Sequence, residues 1–346
     1  MTNDHAYVGT YTDEAGEGIY HCRVDESTGE LSEPQLAAPT QNPSFLATHP
    51  HLDVLYAVNE TDDGSVTAFA IADDGGLEPL DERSIGPAGP CHCSVDSTGQ
   101  YLLVAHYSGG AVSVLALADD GRIGAPTVVE HEGSSVHPDR QTAPHPHSIV
   151  PGPNDEFVYV ADLGTDEVVV YALNREEDAL ERRDVVSIHD GAGPRHVTFD
   201  AERERAYLIN ELDSTLSVFD WSADSGGLSH VDTVETLEGP IETENYPAAI
   251  CLHPSTDYVY GSNRGHDSVA VLDCSGRDLE LVETVSTGGE WPRSMTLSSG
   301  GKYLIVANEH SETIVPFAVG DDGGLEELEG RVSVPHPVCV EIPGRP

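Results

Sequence analysis

One pattern in this chain leaves few folds open to it. Six segments begin with a proline, run through alternating apolar residues, turn, and enter a second apolar run. They start at Pro43 (NPSFLATHP…LYAVNE), Pro90 (GPCHCSVD…YLLVAHY), Pro146 (HPHSIVPG…FVYVADL), Pro194 (GPRHVTFD…AYLINEL), Pro247 (YPAAICLHP…YVYGSNR) and Pro292 (WPRSMTLSS…KYLIVANE). The residue seventeen positions after each proline holds the same place in every copy: Glu60, Tyr107, Leu163, Glu211, Arg264 and Glu309. Each copy continues with a third alternating run, such as SVTAFAI or TLSVFDW, and most add a Gly/Asp-rich turn such as DDGGLEPL before a weaker fourth. The copies start 45 to 56 residues apart. Alternation at period two marks half-buried strands, and no segment carries a helical period. A unit this short cannot bury its apolar face alone and must stack on its neighbours. The expected fold is therefore all-β, with four-stranded antiparallel blades repeated radially as a β-propeller.

The two ends set the blade count. The chain opens with AYVGTYT, which reads as a second strand with no first strand before it. The tail HPVCVEIP, from His336, reads as a proline-led first strand with nothing after it. Pairing the two completes a seventh blade and removes an open sheet edge, which would otherwise template aggregation. A single seven-bladed domain over residues 1–346, its first blade closed by the C-terminal strand, is expected.

Hairpin pairing of the first and second strands brings the residue after each proline to the same end of the sheet as the residue sixteen later. With the innermost strands lining the central channel, these residues surround its mouth. In chain order they are Ser44/Glu60, Cys91/Tyr107, His147/Leu163, Arg195/Glu211, Ala248/Arg264 and Arg293/Glu309, with Tyr11 from the closing blade. His92, His106, Asp162, His196, Asn59, Asn210, Asn263 and Asn308 are expected close by.

Charge makes this rim unusual. The chain holds 61 acidic residues against 16 basic ones, only Lys302 among the latter being a lysine, for a formal charge of −45. Such a surface repels nucleic acid and anionic membranes, so neither is an expected partner. At molar salt the Debye length shrinks to about 3 Å and self-repulsion is largely screened, which is the setting expected for this composition: a halophile's salt-filled cytoplasm. Three of only 15 arginines nevertheless occupy equivalent rim positions. Guanidinium matches carboxylate or phosphate oxygens bidentately, so a small anionic ligand is expected. The plainer alternative is that these arginines only neutralise Glu60, Glu211 and Glu309.

The longest connection, EHEGSSVHPDRQTAPHPHS over 130–148, carries four histidines and Arg140. Long loops on a propeller face cover pockets, so it is expected to act as a lid delivering Arg140, His145 and His147. His145-Pro-His147 and Cys91-His92-Cys93 look like metal ligand pairs. No third or fourth partner stands at zinc-site spacing, so no metal and no cofactor are expected, and the cysteines are expected to pack. Six cysteines are too sparse for a disulfide framework. The N-terminus has neither a basic segment nor an apolar one of signal-peptide type, and nowhere do 18 apolar residues run together. A cytoplasmic location is expected, as a monomer or dimer.

The motifs YVGTYT, NPSFLATHP with LYAVNE, DRQ…PHPHS, GAGPRHVTFD with AYLINEL, and WPRSMTLSSGGKYLIVANE resemble the seven-bladed propeller lactonase family. Bacterial 6-phosphogluconolactonase typifies that family, which also includes fungal carboxy-cis,cis-muconate cyclase. The resemblance covers nearly the whole chain and implies a site at His147, Arg195, Glu211 and Arg264. It implies hydrolysis of a sugar δ-lactone, foremost 6-phospho-glucono-1,5-lactone to 6-phosphogluconate. In that scheme His147, at an ordinary pKa near 6.5, acts as base, and Arg195 stabilises the oxyanion. Glu211 orients Arg195 or passes the proton, and Arg264 with Arg293 or Arg140 holds phosphate, with His196, Glu309 and Glu60 lining the substrate. A muconate-type lactonizing cyclase and a non-catalytic propeller scaffold are the competing readings.

Overall fold

The computed structural model describes residues 3–12, 15–239 and 243–344. Among them every regular element is a strand, arranged in seven antiparallel sheets. The C-terminal strand Pro337–Glu341 pairs with Asn3–Thr10, with Val8 opposite Val340, so first and last strands close the ring in one blade. In the sixth proline-led blade the outer edge is split into Leu325–Glu327 and Val332–Ser333, both paired with Thr313–Val319. The seven-bladed all-β expectation holds in each of these respects.

The second strands are the most deeply buried: Val54–Asn59, Tyr101–His106 and Tyr303–Asn308 are buried at every position. Both faces of a blade meet a neighbour, so these strands read as continuous apolar runs, while outer strands such as Leu77–Ser84 are exposed or half-buried at every position after the first. The core accordingly lies between blades. Tyr56, Val58 and Val66 of one blade, for example, pack with Cys93, Leu102 and Val104 of the next.

A repeated tether joins neighbouring blades. Tyr7, Tyr56, Tyr159 and Tyr260 each donate a hydroxyl hydrogen bond to a glycine carbonyl in the Gly/Asp turn of the following blade: Gly75, Gly121, Gly226 and Gly323, at 2.9–3.1 Å. Each of these glycines sits at positive φ. At Gly226 a Cβ would also lie 2.5 Å from the Phe157 ring. The recurrent turn thus serves the seam between blades as well as the hairpin that contains it.

The feature that builds the site is a β-bulge just after the strand-opening proline. Pro43, Pro90, Pro146, Pro194 and Pro292 pair with Asn59, His106, Asp162, Asn210 and Asn308, and the next residue is skipped before the ladder resumes. Ser44, Cys91, His147, Arg195 and Arg293 are those skipped residues. A bulged residue leaves the pleat's alternation and its side chain is re-aimed, here toward the channel mouth.

Candidate active site

The channel mouth opens into a cavity of about 470 Å³ lined by Glu60, Cys91, Tyr107, Arg140, His147, Glu211, Tyr246, Arg264, Trp291 and Arg293. That size suits a sugar-sized ligand. Bulged residues supply Cys91, His147 and Arg293, while Glu60, Tyr107, Glu211 and Arg264 are the residues seventeen after their prolines. Arg195, also bulged, lies directly beneath, 3% exposed.

Glu211 is the centre of the site. Its Oε2 accepts from Arg195 Nε at 3.0 Å and stands 2.7 Å from Arg264 Nη2, and its Oε1 accepts from Arg140 Nη2 at 2.6 Å. Those arginines come from two blades and the lid, and they converge on a carboxylate only 3% exposed. Burial alone would raise the Glu211 pKa, but Arg264, Arg195, His147 and Arg140 hold it well below the usual carboxylate range. Glu211 is therefore a fixed anion, suited to orient cations and unsuited to pass a proton. Burial, with Arg264 beside it, brings the Arg195 guanidinium down to about 9, still charged at neutral pH. Arg195 Nη1 donates to the Ala248 carbonyl at 2.6 Å and to His196 Nε2 at 3.2 Å. Its Nη2 edge is left uncommitted among the described residues.

The opposite wall has another balance. Arg293 Nη2 meets the Tyr11 hydroxyl at 2.7 Å, that hydroxyl donates to Glu60 Oε2 at 3.1 Å, and Glu309 Oε2 lies 4.0 Å from Arg293 Nε. Glu309 Oε2 is buried and receives no hydrogen bond among the described residues. The Glu211 side gathers three guanidiniums around one carboxylate, whereas this side sets one guanidinium among two. The cavity is thus polarised, cationic on one wall and anionic on the other.

His147 departs from the sequence expectation. Burial, reinforced by Arg195, pushes it well below 6.5, so it is neutral at physiological pH rather than partly protonated. Its Nδ1 is buried without a partner among the described residues, and its Nε2 is 3.9 Å from Glu211 Oε2. Its ring meets His196 at 5.5 Å between centroids, and His196 meets His92 at 5.3 Å, forming a trio that runs from the cavity lining inward, with His92 and His147 buried and His196 partly so. Since Arg195 donates to His196 Nε2, the His196 proton belongs on Nδ1.

This trio has a consequence for stability. Burial holds His92 at about 3 and His106 at about 4, and keeps His147 and His196 well below 6.5. Below about pH 6.5 the unfolded chain takes up these protons while the folded one does not, so stability falls as pH falls. Each histidine costs about 1.4 kcal/mol per pH unit across that window. Glu341 works the other way: burial raises it to about 7, so between there and 4.5 it binds its proton in the fold first. Four histidines outweigh one glutamate. Thermal melts in molar KCl should show a melting temperature lower by on the order of 10 °C at about pH 5.5 than at pH 7; an unchanged one would contradict the neutral trio.

The remaining rim residues divide by register. The residue sixteen after each proline serves scaffolding instead of the cavity. Asn59 donates to the Gln41 carbonyl, Asn263 to Thr236 and Asn308 to Thr287, and Asn210 bonds Thr215 and Ser217. His106 bonds Ser113 and the Pro87 carbonyl. Asp162 holds the lid's two ends, through His131 Nδ1 at 2.7 Å and the His145 amide at 2.8 Å. Leu163 is fully buried beneath the lid. Arg264, expected as an open phosphate holder, is 5% exposed with Nε donating to the Tyr246 carbonyl, and Arg140, its side chain 34% exposed, stands at the mouth instead. His145 stacks on Tyr107 outside the cavity lining. Cys93 packs in the core, while the Cys91 thiol, raised by burial, lies 3.4 Å from the His147 carbonyl. Among the described residues no three His, Cys, Asp or Glu side chains gather into a metal-binding cluster.

Two cavity residues escaped the sequence reading. Tyr246 and Trp291 immediately precede Pro247 and Pro292, the one signal that could have found them. Trp291 has φ 65, a conformation costly for a bulky side chain. Its amide donates to Asp267 at 2.8 Å, and its ring stacks on His310 and meets Arg264 at 5.5 Å.

Comparison with known proteins agrees with this architecture. A 6-phosphogluconolactonase from Bacillus subtilis is 35% identical over 348 residues, covering 99% of each chain. A periplasmic gluconolactonase of Pseudomonas aeruginosa superposes with a TM-score of 0.94 at 31% identity over the whole of both chains. A Lactobacillus plantarum protein does so at 0.93 and 30%, covering 99% of each. The family profile described as Lactonase, 7-bladed beta-propeller, matches residues 5–342, and the chain belongs to that family.

Proposed function

We propose that this lactonase hydrolyses a sugar δ-lactone, preferring 6-phospho-glucono-1,5-lactone. The observation that carries the reading is the polarised cavity. A phosphorylated sugar lactone has one anionic end and a ring of hydroxyls, which match the arginine wall and the wall at Glu60 respectively; Glu309, expected against the substrate, stands behind Arg293 outside the cavity lining. The relatives named for 6-phosphogluconolactone and gluconolactone support the same class.

Neutral His147 takes a proton from water as the hydroxide adds to the lactone carbonyl. The carbonyl oxygen becomes an oxyanion against the uncommitted edge of Arg195, already charged and held in place by Glu211. The imidazolium that forms is compensated by Glu211 nearby. Collapse of the tetrahedral intermediate breaks the bond to the ring oxygen, which leaves as an alkoxide and takes the proton back from His147. The product is the open hydroxy acid, and Glu211 stays anionic throughout. A muconate-type dicarboxylate would set its second carboxylate near Glu60, which disfavours the cyclase alternative.

The test is a coupled assay in molar KCl with freshly made lactones, corrected for spontaneous hydrolysis. Arg140→Ala should raise KM for the phosphorylated lactone on the order of tenfold, as loss of one charged hydrogen bond does, and leave the unphosphorylated one within about twofold. Equal losses on both lactones would remove phosphate from Arg140. Turnover of an unsaturated dicarboxylate alone would replace hydrolysis with cyclisation.

A further inference from the structure

Outside the cavity, one buried carboxylate makes an unusual set of contacts. Asp166 lies in the turn between the strands Phe157–Asp162 and Glu167–Asn174, at φ 55 and 3% exposed. Its Oδ1 accepts from Gln141 Nε2 at 2.7 Å and the Gly193 amide at 2.7 Å. Its Oδ2 accepts from Ser135 Oγ at 2.6 Å and the Gly191 amide at 2.6 Å. Four donors on a carboxylate fill its usual acceptor sites.

These donors belong to two separate segments. Ser135 and Gln141 are in the lid, and Gln141 is adjacent to Arg140. Gln141 is itself fully buried, its Nε2 also donating to the Leu163 carbonyl and its Oε1 accepting the His137 amide. Gly191 and Gly193 form the approach to Pro194 and Arg195. Arg140 and Arg195 are the two guanidiniums that grip opposite oxygens of Glu211. Asp166 touches neither of them and lies outside the cavity lining.

We propose that Asp166 is a positioning residue that sets the spacing between Arg140 and Arg195 by clamping the lid to the Gly191–Gly193 turn. The two arginines then reach Glu211 in register without a search of lid conformations at each turnover. The proposal rests on the reading of this cavity as a lactone-hydrolysing site, so its test includes a readout that needs no activity.

Asp166→Asn keeps the shape but puts a donor where one oxygen accepted, losing the Gln141 and Gly193 bonds if it replaces Oδ1, or the Gly191 bond if it replaces Oδ2, where the Ser135 hydroxyl can turn to accept. Hydrogen exchange followed by mass spectrometry should show peptides over 131–145 and 188–195 exchanging at least about tenfold faster together, with the other blades unchanged. Exchange rising in neither segment, or everywhere equally, overturns the proposal whatever the substrate proves to be. In the assay with the phosphorylated lactone Asp166→Asn should lower kcat/KM about five- to tenfold, approaching the cost of losing Arg140 itself, but no more than about twofold in an Arg140→Ala background, because the spacing then has nothing to position. An equal loss in both backgrounds makes Asp166 merely structural and also overturns it. If Asp166→Asn does not fold, Gln141→Leu removes one of the clamp's two lid donors and leaves the glycine side intact, with the same non-additivity toward Arg140→Ala expected and the same additive result decisive. Wild type hydrolysing no lactone, with exchange coupled as expected, rejects the assigned reaction and leaves the clamp standing.

Discussion

Glu211→Gln is expected to destabilise the protein by about 3–5 kcal/mol and to lower kcat/KM on the order of 10³-fold. The side chain keeps its volume, so no cavity opens and the effect is electrostatic. In the native site one buried carboxylate compensates Arg195, Arg264 and, at the mouth, Arg140. Without it, two guanidiniums 3% and 5% exposed remain side by side with no counter-charge. Removing one partner of a buried ion pair is costly because the survivor can neither ionise freely nor reach water. Catalysis suffers for a related reason: Arg195 loses the contact that fixes its Nε edge, so its remaining donors no longer meet the oxyanion in one geometry. Denaturant melts in molar KCl measure the first effect and the coupled assay the second. A variant as stable and active as wild type would show that the convergence on Glu211 is incidental.

His147→Ala is expected to cost 10²–10⁴-fold in kcat, on the order usual for a general base, with little change in KM. The pH profile distinguishes this histidine from an ordinary one. Burial and Arg195 keep it deprotonated well below 6.5, so the basic form is already fully present at neutral pH. The acid limb of kcat/KM should therefore lie well below pH 6.5 in wild type, provided melts confirm the fold at each pH. An acid limb at 6.5 would place the base elsewhere, and a loss of less than about fivefold in His147→Ala would remove it from the role. The same burial that lowers its pKa limits its driving force as a base. Nearby Glu211 offsets this, since the imidazolium gains a compensating charge as it forms.

The two substitutions probe different layers. Glu211 organises cations that come from separate blades, whereas His147 acts on the water itself. A combined variant should lose much less than the product of the single losses, since residues acting as one unit are not additive.

The sequence by itself determined the blades, their number and their closure. Strand alternation and proline-led repeats are local signals, written within about six residues and repeated six times, and AYVGTYT and HPVCVEIP carry the two halves of the seventh blade in plain view. It also placed His147, Arg195, Glu211 and Arg264 at one rim, because hairpin pairing converts a fixed count along the chain into a fixed position in space. Tertiary structure alone decided what those residues do there. The bulge after each proline turned His147, Arg195 and Arg293 inward while Asn59, Asn263 and Asn308, one register step away, went to the seams between blades. The meeting of Arg140, Arg195 and Arg264 on one carboxylate, the depression of His147, and the entry of Tyr246 and Trp291 all depend on distances between blades. Such distances are set by packing across the ring and by burial, which act between residues far apart in the chain and leave no periodic trace in it.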